Sequence, residues 1–338
     1  VKKKLKVLVL FDGVQPTPID ADLSEEMKTE EWQTEANVMA ALKELGHTAD
    51  HLAIFDDVDL VRQKMESFQP DLLFNLVEQF KNNPGFDQNI VSLLEMQGVP
   101  FTGCGSTGMT LCKHKGISKK ILGHHGIATP NFVVIPRGQR SGPGKLKFPI
   151  LVKPVKEEAS YGISRASFVE TDESFRDRIG FVHEKYKSDA IAEEYIEGRE
   201  LYVSIMGNAR LQVLPLRELI FREMPPNEPR IATYKAKWDE KYRKRWGLEG
   251  QFAENLDPVL VKEIEKMCKD IYRLLTIDGY ARIDLRLTAE NKPYFIEANP
   301  NPHLAADEDF AQSALKAGLK YPQLVQTIIG LGMRMARG

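Results

Sequence analysis

The chain has 338 residues, 42% of them apolar and 28% charged, with a formal net charge of −2. That length exceeds one small domain and supplies enough apolar side chains for two or three cores of a soluble globular protein. The near-neutral balance excludes an overall electrostatic pull toward nucleic acid or an anionic membrane.

In chain order, "KVLVLF" (6–11), "ADHLAIF" (49–55) and "LLFNLV" (72–77) read as buried strands. Between the first two, "TEANVMAALKELG" sets Val38, Leu42 and Leu45 on one helical face and ends at Gly46. Strands separated by helices predict a parallel open sheet. The acidic, Pro-containing loop 12–30 is long enough to suggest a function. From Pro100 the pattern changes. "HKGISKKILGHHGIATP" predicts a helix and a turn, followed by the strand "NFVVI" and a Gly/basic loop over 137–147. Then come the strand-like runs "FPILVKP", "ISRASFV", "AIAEEYI", "ELYVSIMG" and "ARLQVLPL". "DPVLVKEIEKMCKDIYRLLT" predicts an amphipathic helix with Ile264, Met267, Ile271 and Leu274 on one face. A strand pair and C-terminal helices, "YPQLVQTIIGLGMRM" among them, complete the chain.

The cysteines, Cys104, Cys112 and Cys268, form no CxxC pair and no His/Cys cluster, so a reducing compartment is expected rather than a disulfide framework. No stretch reaches membrane-spanning length, and "VLVLF" is too short for a signal-peptide core. The expectation is a cytoplasmic protein with neither a membrane nor a nucleic-acid partner.

"ARIDLRLTAENKPYFIEANPNP" (281–302) carries polar residues where packing alone would favour Val or Ile. A hairpin folded about residues 290–291 sets Asp284 opposite Glu297 and Arg282 opposite Asn299, all four on one face. Carboxylates so placed share a proton, recruit cations or bind a metal. Two carboxylates and an amide oxygen are hard ligands suited to Mg²⁺ that shares its shell with phosphates. A solvated hairpin face, with Arg282 neutralising one acid, is the other reading the residues leave open. Lys153 ends an apolar strand where its charge can reach a phosphate; Lys115 and Lys119 lie one helical turn apart. Glu193 and Glu200 flank a Gly turn and could accept hydrogen bonds from an adenine amino group and ribose hydroxyls.

Taken together, "GVPFTGCGSTGMTLCKHKGISKK", "FPILVKPVKEEASYGIS", "EEYIEGRELYVSI", "YKAKW" and the 281–302 hairpin resemble, in family order, the ATP-grasp superfamily and within it the D-alanine–D-alanine ligase branch. The resemblance is strongest over 98–302. It implies an α/β ATP-grasp architecture: an N-terminal parallel α/β domain (1–104), a central subdomain (105–190) and a C-terminal subdomain (191–338) carrying the ligation site. It further implies that Lys115 and Lys153 meet the ATP phosphates, that Glu193 and the Ile196 backbone hold adenine, and that Glu200 holds the ribose. Asp284, Glu297 and Asn299 would ligate Mg²⁺, two ions in all, with Mn²⁺ as the alternative. Arg282 would stabilise an acyl phosphate and the later tetrahedral intermediate, and Lys237, in a mobile loop, would cover the phosphates. The implied reaction joins a small-molecule carboxylate to an amine, amino acids by expectation, through an acyl phosphate. A homodimer through the N-terminal domain is also suggested.

Several positions depart from the family. The N-terminal "GGxSxE" signature is missing, leaving Glu31, Glu35 and Glu78 as candidates to grip the first substrate's amine. "EGSSxG" reads "EEASYG", with Glu158 at a Gly position and Ala159 at a Ser; the tyrosine of "AKY" is Trp238. His303 stands where a glycine amide would serve the oxyanion, and Glu308 near where a serine would meet a carboxylate. An acid there repels a carboxylate and attracts an amine. Altered substrates are therefore expected, with authentic D-alanine–D-alanine ligation and a non-catalytic ATP-binding regulator as alternatives. "GCGSTG" also matches GxGxxG, but no acid follows about twenty residues on, as a dinucleotide site requires. "YKAKWDEKYRKRW" is basic and aromatic like some nucleic-acid-binding segments, though Asp239 and Glu240 interrupt it.

Overall fold

The computed structural model describes residues 3–334 except 140, 158–159 and 226–227. β1 (Lys6–Asp12) is flanked by β2 (Thr48–Ile54) and β3 (Leu72–Asn75), both parallel to it, in the order β2-β1-β3. Val7 through Phe11 are all fully buried. A parallel strand covered on both faces has no solvent side to alternate toward, hence the continuous apolar run. The helix Gln33–Glu44 packs Val38 and Leu42 onto one face, together with Leu324, Ile328 and Ile329 from the C-terminal helix Tyr321–Arg334. The other face packs against the helix Asp87–Gln97, which stops at Gly98 in a left-handed conformation (φ +70°).

A four-stranded sheet follows: β4 (Phe132–Ile135), β5 (Ile150–Pro154), β6 (Phe168–Val169) and β7 (Ala190–Glu194), ordered β4-β7-β5-β6. The helix Asp172–Lys185 covers it through Phe175, Ile179 and Val182. Its start is capped by Thr171 and Ser174, each side chain serving the other's backbone N–H. "ISRASFV" forms only the two residues of β6 after a 3₁₀ turn.

The last sheet holds β8 (Arg199–Gly207), β9 (Leu211–Val213), β10 (Arg217–Phe221), β11 (Leu248–Phe252), β12 (Tyr280–Leu287) and β13 (Pro293–Pro300). Its order is β11-β10-β8-β12-β13, with β9 on β8. The helix Pro258–Leu274 packs against it through Leu260, Ile264, Cys268 and Ile271. That helix starts where sequence rules put it, at an Asp257 cap with Pro258 in the first turn. The chain is thus mixed α/β, with a parallel sheet followed by two antiparallel ones. Cys104, Cys112 and Cys268 are buried and form no disulfide with one another.

The glycines of "GCGSTG" answer to packing. A Cβ on Gly103 would stand 2.3 Å from Asn301 Oδ1, and one on Gly108 would stand 2.6 Å from the Thr276 carbonyl. Their bareness lets the Asn301 turn and the end of the helix Pro258–Leu274 approach, and Asn301 Oδ1 accepts the Cys104 N–H at 2.7 Å. No helix among the described residues is long and apolar enough to cross a membrane.

Candidate active site

β12 and β13 pair in the register that the sequence symmetry predicts: Arg282 faces Asn299 and Asp284 faces Glu297. The register slips just beyond Asp284, where Leu285 faces Phe295 and Ile296 becomes the extra residue of a bulge. The Ile296 carbonyl accepts a hydrogen bond from Lys119 Nζ. The bulge therefore serves the site, because it aims a strand carbonyl at a buried cation.

Arg282 grips Asp284 with two hydrogen bonds, Nε to Oδ1 at 2.8 Å and Nη2 to Oδ2 at 2.9 Å. Asn299 Nδ2 donates to the same Oδ2 at 3.1 Å, and the Tyr202 ring lies 4.6 Å from the guanidinium. Burial works against the Arg282 charge, but the Asp284 carboxylate overcomes it and holds the group well above its ordinary pKa. Glu297 faces Lys115 Nζ at 3.4 Å; that Nζ also donates to the Glu157 carbonyl.

Deeper in, Glu193 is 2% exposed and lies between two buried lysines, 3.0 Å from Lys153 and 3.3 Å from Lys119. Burial alone would raise the Glu193 pKa, but Lys119 and Lys153 bring it below its ordinary value. Burial pushes Lys119 down to about 8, partly opposed by Glu193. Glu193 Oε1 lies 3.3 Å from Lys119 Nζ without a well-directed hydrogen bond, so it keeps acceptor capacity for an incoming N–H donor. These side chains border a cleft of about 650 Å³, open mouth included, between the four-stranded and six-stranded sheets. Lys153, Glu193, Ile196, Glu200, Asp284 and Glu297 all line it. Lys115, Arg282 and Asn299 join it through their bonds to Glu297 and Asp284.

Sequence reasoning marks Lys119 only as a neighbour of Lys115, and misses Arg286, Tyr195 and Tyr202. Lys119 carries a usable signal, its one-turn spacing from Lys115; Arg286 carries none, because alternation alone reads as a charged strand face. The "YKAKW" segment is not a loop. It forms the helix Tyr234–Trp238, capped by Thr233 Oγ1 accepting the Ala236 N–H, followed by the helix Glu240–Trp246. The side chains of Lys237 and Trp238, and residues Glu158 and Ala159, lie outside the described residues.

A second cleft, about 750 Å³ with its mouth, opens at the carboxyl ends of β1 and β3. Asp12, Glu31, Glu35 and Glu78 line it, with Trp32, Tyr280 and His303, and no Lys or Arg does among the described residues. All three candidate glutamates thus meet in one place. Burial pushes the Glu35 carboxyl up to about 7, with Asp12 adding to the effect, and burial also raises Asp12. His303 Nε2 is 2.9 Å from Thr34 Oγ1, and its Nδ1 is 3.9 Å from Glu308. Among the described residues, the cleft lining includes His303 but not Glu308.

The model for the family described as D-ala D-ala ligase C-terminus matches residues 121–330. The chain belongs to this family. Relatives of this ATP-grasp ligase include the uncharacterised protein y4sG of Sinorhizobium fredii, 31% identical over 88% of the chain and 87% of that protein. The D-alanine–D-alanine ligase of Moorella thermoacetica is 28% identical over 88% and 92%. In three dimensions the ligase resembles the D-alanine–D-alanine ligase of Bacillus anthracis complexed with ATP (TM-score 0.76, 22% identity, 98% of both chains). It also resembles the VanG D-Ala:D-Ser ligase of Enterococcus faecalis (TM-score 0.71, 19% identity, 98% of this chain and all of that one).

Among the described residues of the ligase, no three His, Cys, Asp or Glu side chains gather as a metal cluster. The Asp284, Glu297 and Asn299 set instead offers two carboxylates and one amide on adjacent strands. That hard, incomplete donor set fits a Mg²⁺ ion that keeps waters and substrate oxygens in its shell.

Proposed function

We propose that the chain is an ATP- and Mg²⁺-dependent carboxylate–amine ligase working through an acyl phosphate, with substrates other than two D-alanines. The observation that carries this reading is the hairpin register, which sets Arg282, Asp284, Glu297 and Asn299 beside the cleft bordered by Lys115, Lys119 and Lys153. In the first step a substrate carboxylate attacks the γ-phosphate of ATP, giving an acyl phosphate and ADP. In the second, the free pair of an amine attacks the acyl carbon, phosphate departs, and the amine's proton passes to solvent or a base. Glu193 Oε1 is the acceptor for the adenine amino group and Glu200 that for the ribose. Lys115 and Lys153, freed from Glu297 and Glu193, would turn to the phosphates; Arg282 would meet the negative charge that builds on the acyl carbon's oxygen. Mg²⁺ held by Asp284, Glu297 and Asn299 would neutralise the charge shared by carboxylate and phosphates, which otherwise repel.

The second cleft supports an altered substrate. Glu31 and Glu78, with Asp12 and a Glu35 that a bound cation would help to ionise, and no lysine or arginine among the described lining residues, suit a substrate bearing positive charge, such as a diamine or basic amino acid, better than one small zwitterion. The test is Mg²⁺-dependent ADP release over pairs of amino acids and amines that include D-alanine, with products read by mass. Turnover confined to pairs with a cationic member is expected. Efficient ligation of D-alanine alone would refute the altered-substrate part. ATP binding with no ADP release on any pair would favour a non-catalytic regulator.

A further inference from the structure

The nucleotide cleft contains a cation that no motif assigns. Arg286 follows Asp284 by two residues on β12, is 6% exposed, and lines the cleft. Its Nη2 donates to Glu200 Oε2 at 2.6 Å and to the Arg230 carbonyl, and its Nη1 donates to the Gly198 carbonyl at 3.0 Å. The guanidinium lies 5.6 Å from the Tyr195 ring centre, and the Tyr195 hydroxyl donates to the same Arg230 carbonyl at 3.3 Å. One planar fork thus joins the β7–β8 turn, the carboxylate of Glu200, and the stretch leading into Ile231 and Ala232, which also line the cleft.

Glu200 is fixed from its other end too, since Oε1 accepts the Tyr202 hydroxyl at 2.9 Å. Each oxygen keeps a lone pair for a further donor. Gly198 makes the arrangement reachable: at φ +150°, with its Cβ position only 2.1 Å from the Leu287 carbonyl, no other residue lets the turn come so close to β12. A lysine could not replace the arginine, because a point charge on a flexible stem cannot serve three acceptors in fixed directions.

We propose that Arg286 is a positioning residue of the nucleotide site. It orients Glu200 toward the ribose hydroxyls of ATP and holds the 230–232 stretch over the cleft. The inference rests on the reading of this cleft as the ATP site.

The experiment measures binding of Mg·ATP and Mg·2′-deoxy-ATP to the full chain by calorimetry, for the wild type and for Arg286→Met, Arg286→Lys and Glu200→Gln. Backbone amide exchange over residues 228–236 is followed in the nucleotide-free protein, and a melting curve checks that each variant is folded. The wild type should prefer ATP over the deoxy analogue by roughly tenfold. Both Arg286 variants should bring that preference below about threefold and speed exchange about tenfold or more. Arg286→Lys retains the positive charge beside Glu200 and keeps the test open should Arg286→Met not fold. Glu200→Gln should lose the preference while leaving exchange near the wild-type rate. Arg286 variants with wild-type preference and wild-type exchange would overturn the proposal alone. A wild type that binds no ATP would overturn the ATP reading, and the proposal with it.

Discussion

Asp284 is shared between two kinds of partner. In the protein alone it is chelated by Arg282 and touched by the Asn299 amide, an arrangement that satisfies a buried carboxylate without a metal. Neutralisation of one acid by Arg282 is therefore visible, as one of the two readings of the hairpin anticipates, and it does not compete with the metal reading, because the second carboxylate, Glu297, is turned to Lys115 instead. Glu297→Gln separates stability from chemistry at this face. Lys115 is buried and Glu297 nearly so, so leaving the Lys115 charge without its carboxylate should cost about 3 kcal/mol in urea unfolding. Mg²⁺-dependent ADP release should fall about 100-fold or more, since a charged ligand is replaced by a neutral one. Glu35 offers a pH test. Its carboxyl rises from the ordinary 4.5 to about 7 on folding, chiefly through burial, so the native state holds its proton where the unfolded chain has lost it. Stability from this group is full below about 4.5 and declines as pH climbs toward 7. Glu35→Gln should accordingly stabilise the protein at pH 8, by on the order of 2 kcal/mol after discounting for partial exposure, and change little at pH 4. Denaturant titrations at the two pH values check this; equal effects at both would place the cause elsewhere.

Elements carry the site in two ways. The β12–β13 pair is legible in the order of its residues, because alternation and a central turn leave one register in which all four polar residues share a face. The bulge at Ile296 is not, since a one-residue slip has no signature in an apolar run. The β7–β8 turn shows a glycine's necessity. Gly198→Ala would drive a methyl group onto the Leu287 carbonyl from a backbone angle that alanine rarely adopts. It should cost roughly 2 kcal/mol or more and weaken ATP binding in step, read by urea unfolding and calorimetry on the same preparation. Unchanged stability would mean that the turn has another way to pass β12.

Across the whole molecule, the chain's ends share one core. Leu324, Ile328 and Ile329 of the final helix pack with Val7, Val9 and Phe11 of the first strand and with Val38 and Leu42. Ile328→Ala should cost about 2–4 kcal/mol, and exchange protection should fall in β1 and β3 as well as in the last helix. Loss confined to the helix would show that it docks as a separate unit. The second cleft is likewise a product of this assembly: Asp12 ends β1, Glu35 rides the first helix, Glu78 follows β3, and His303 follows β13.

The sequence by itself determined most of the elements, the parallel character of the first sheet and the facing of Asp284 with Glu297, and its motif order resembles that of an ATP-grasp ligase. The first three depend on local periodicity or short-range symmetry, which a linear string records; the last rests on the family resemblance. Only the tertiary structure decided that Lys119 and Lys153 converge on Glu193, that three unassigned glutamates and Asp12 wall one cleft, and that Arg286 reaches Glu200, Gly198 and Arg230 together. The physical reason is distance along the chain. A buried charge's environment is set by groups brought from remote segments, and desolvation by the whole fold sets the sign and size of its response.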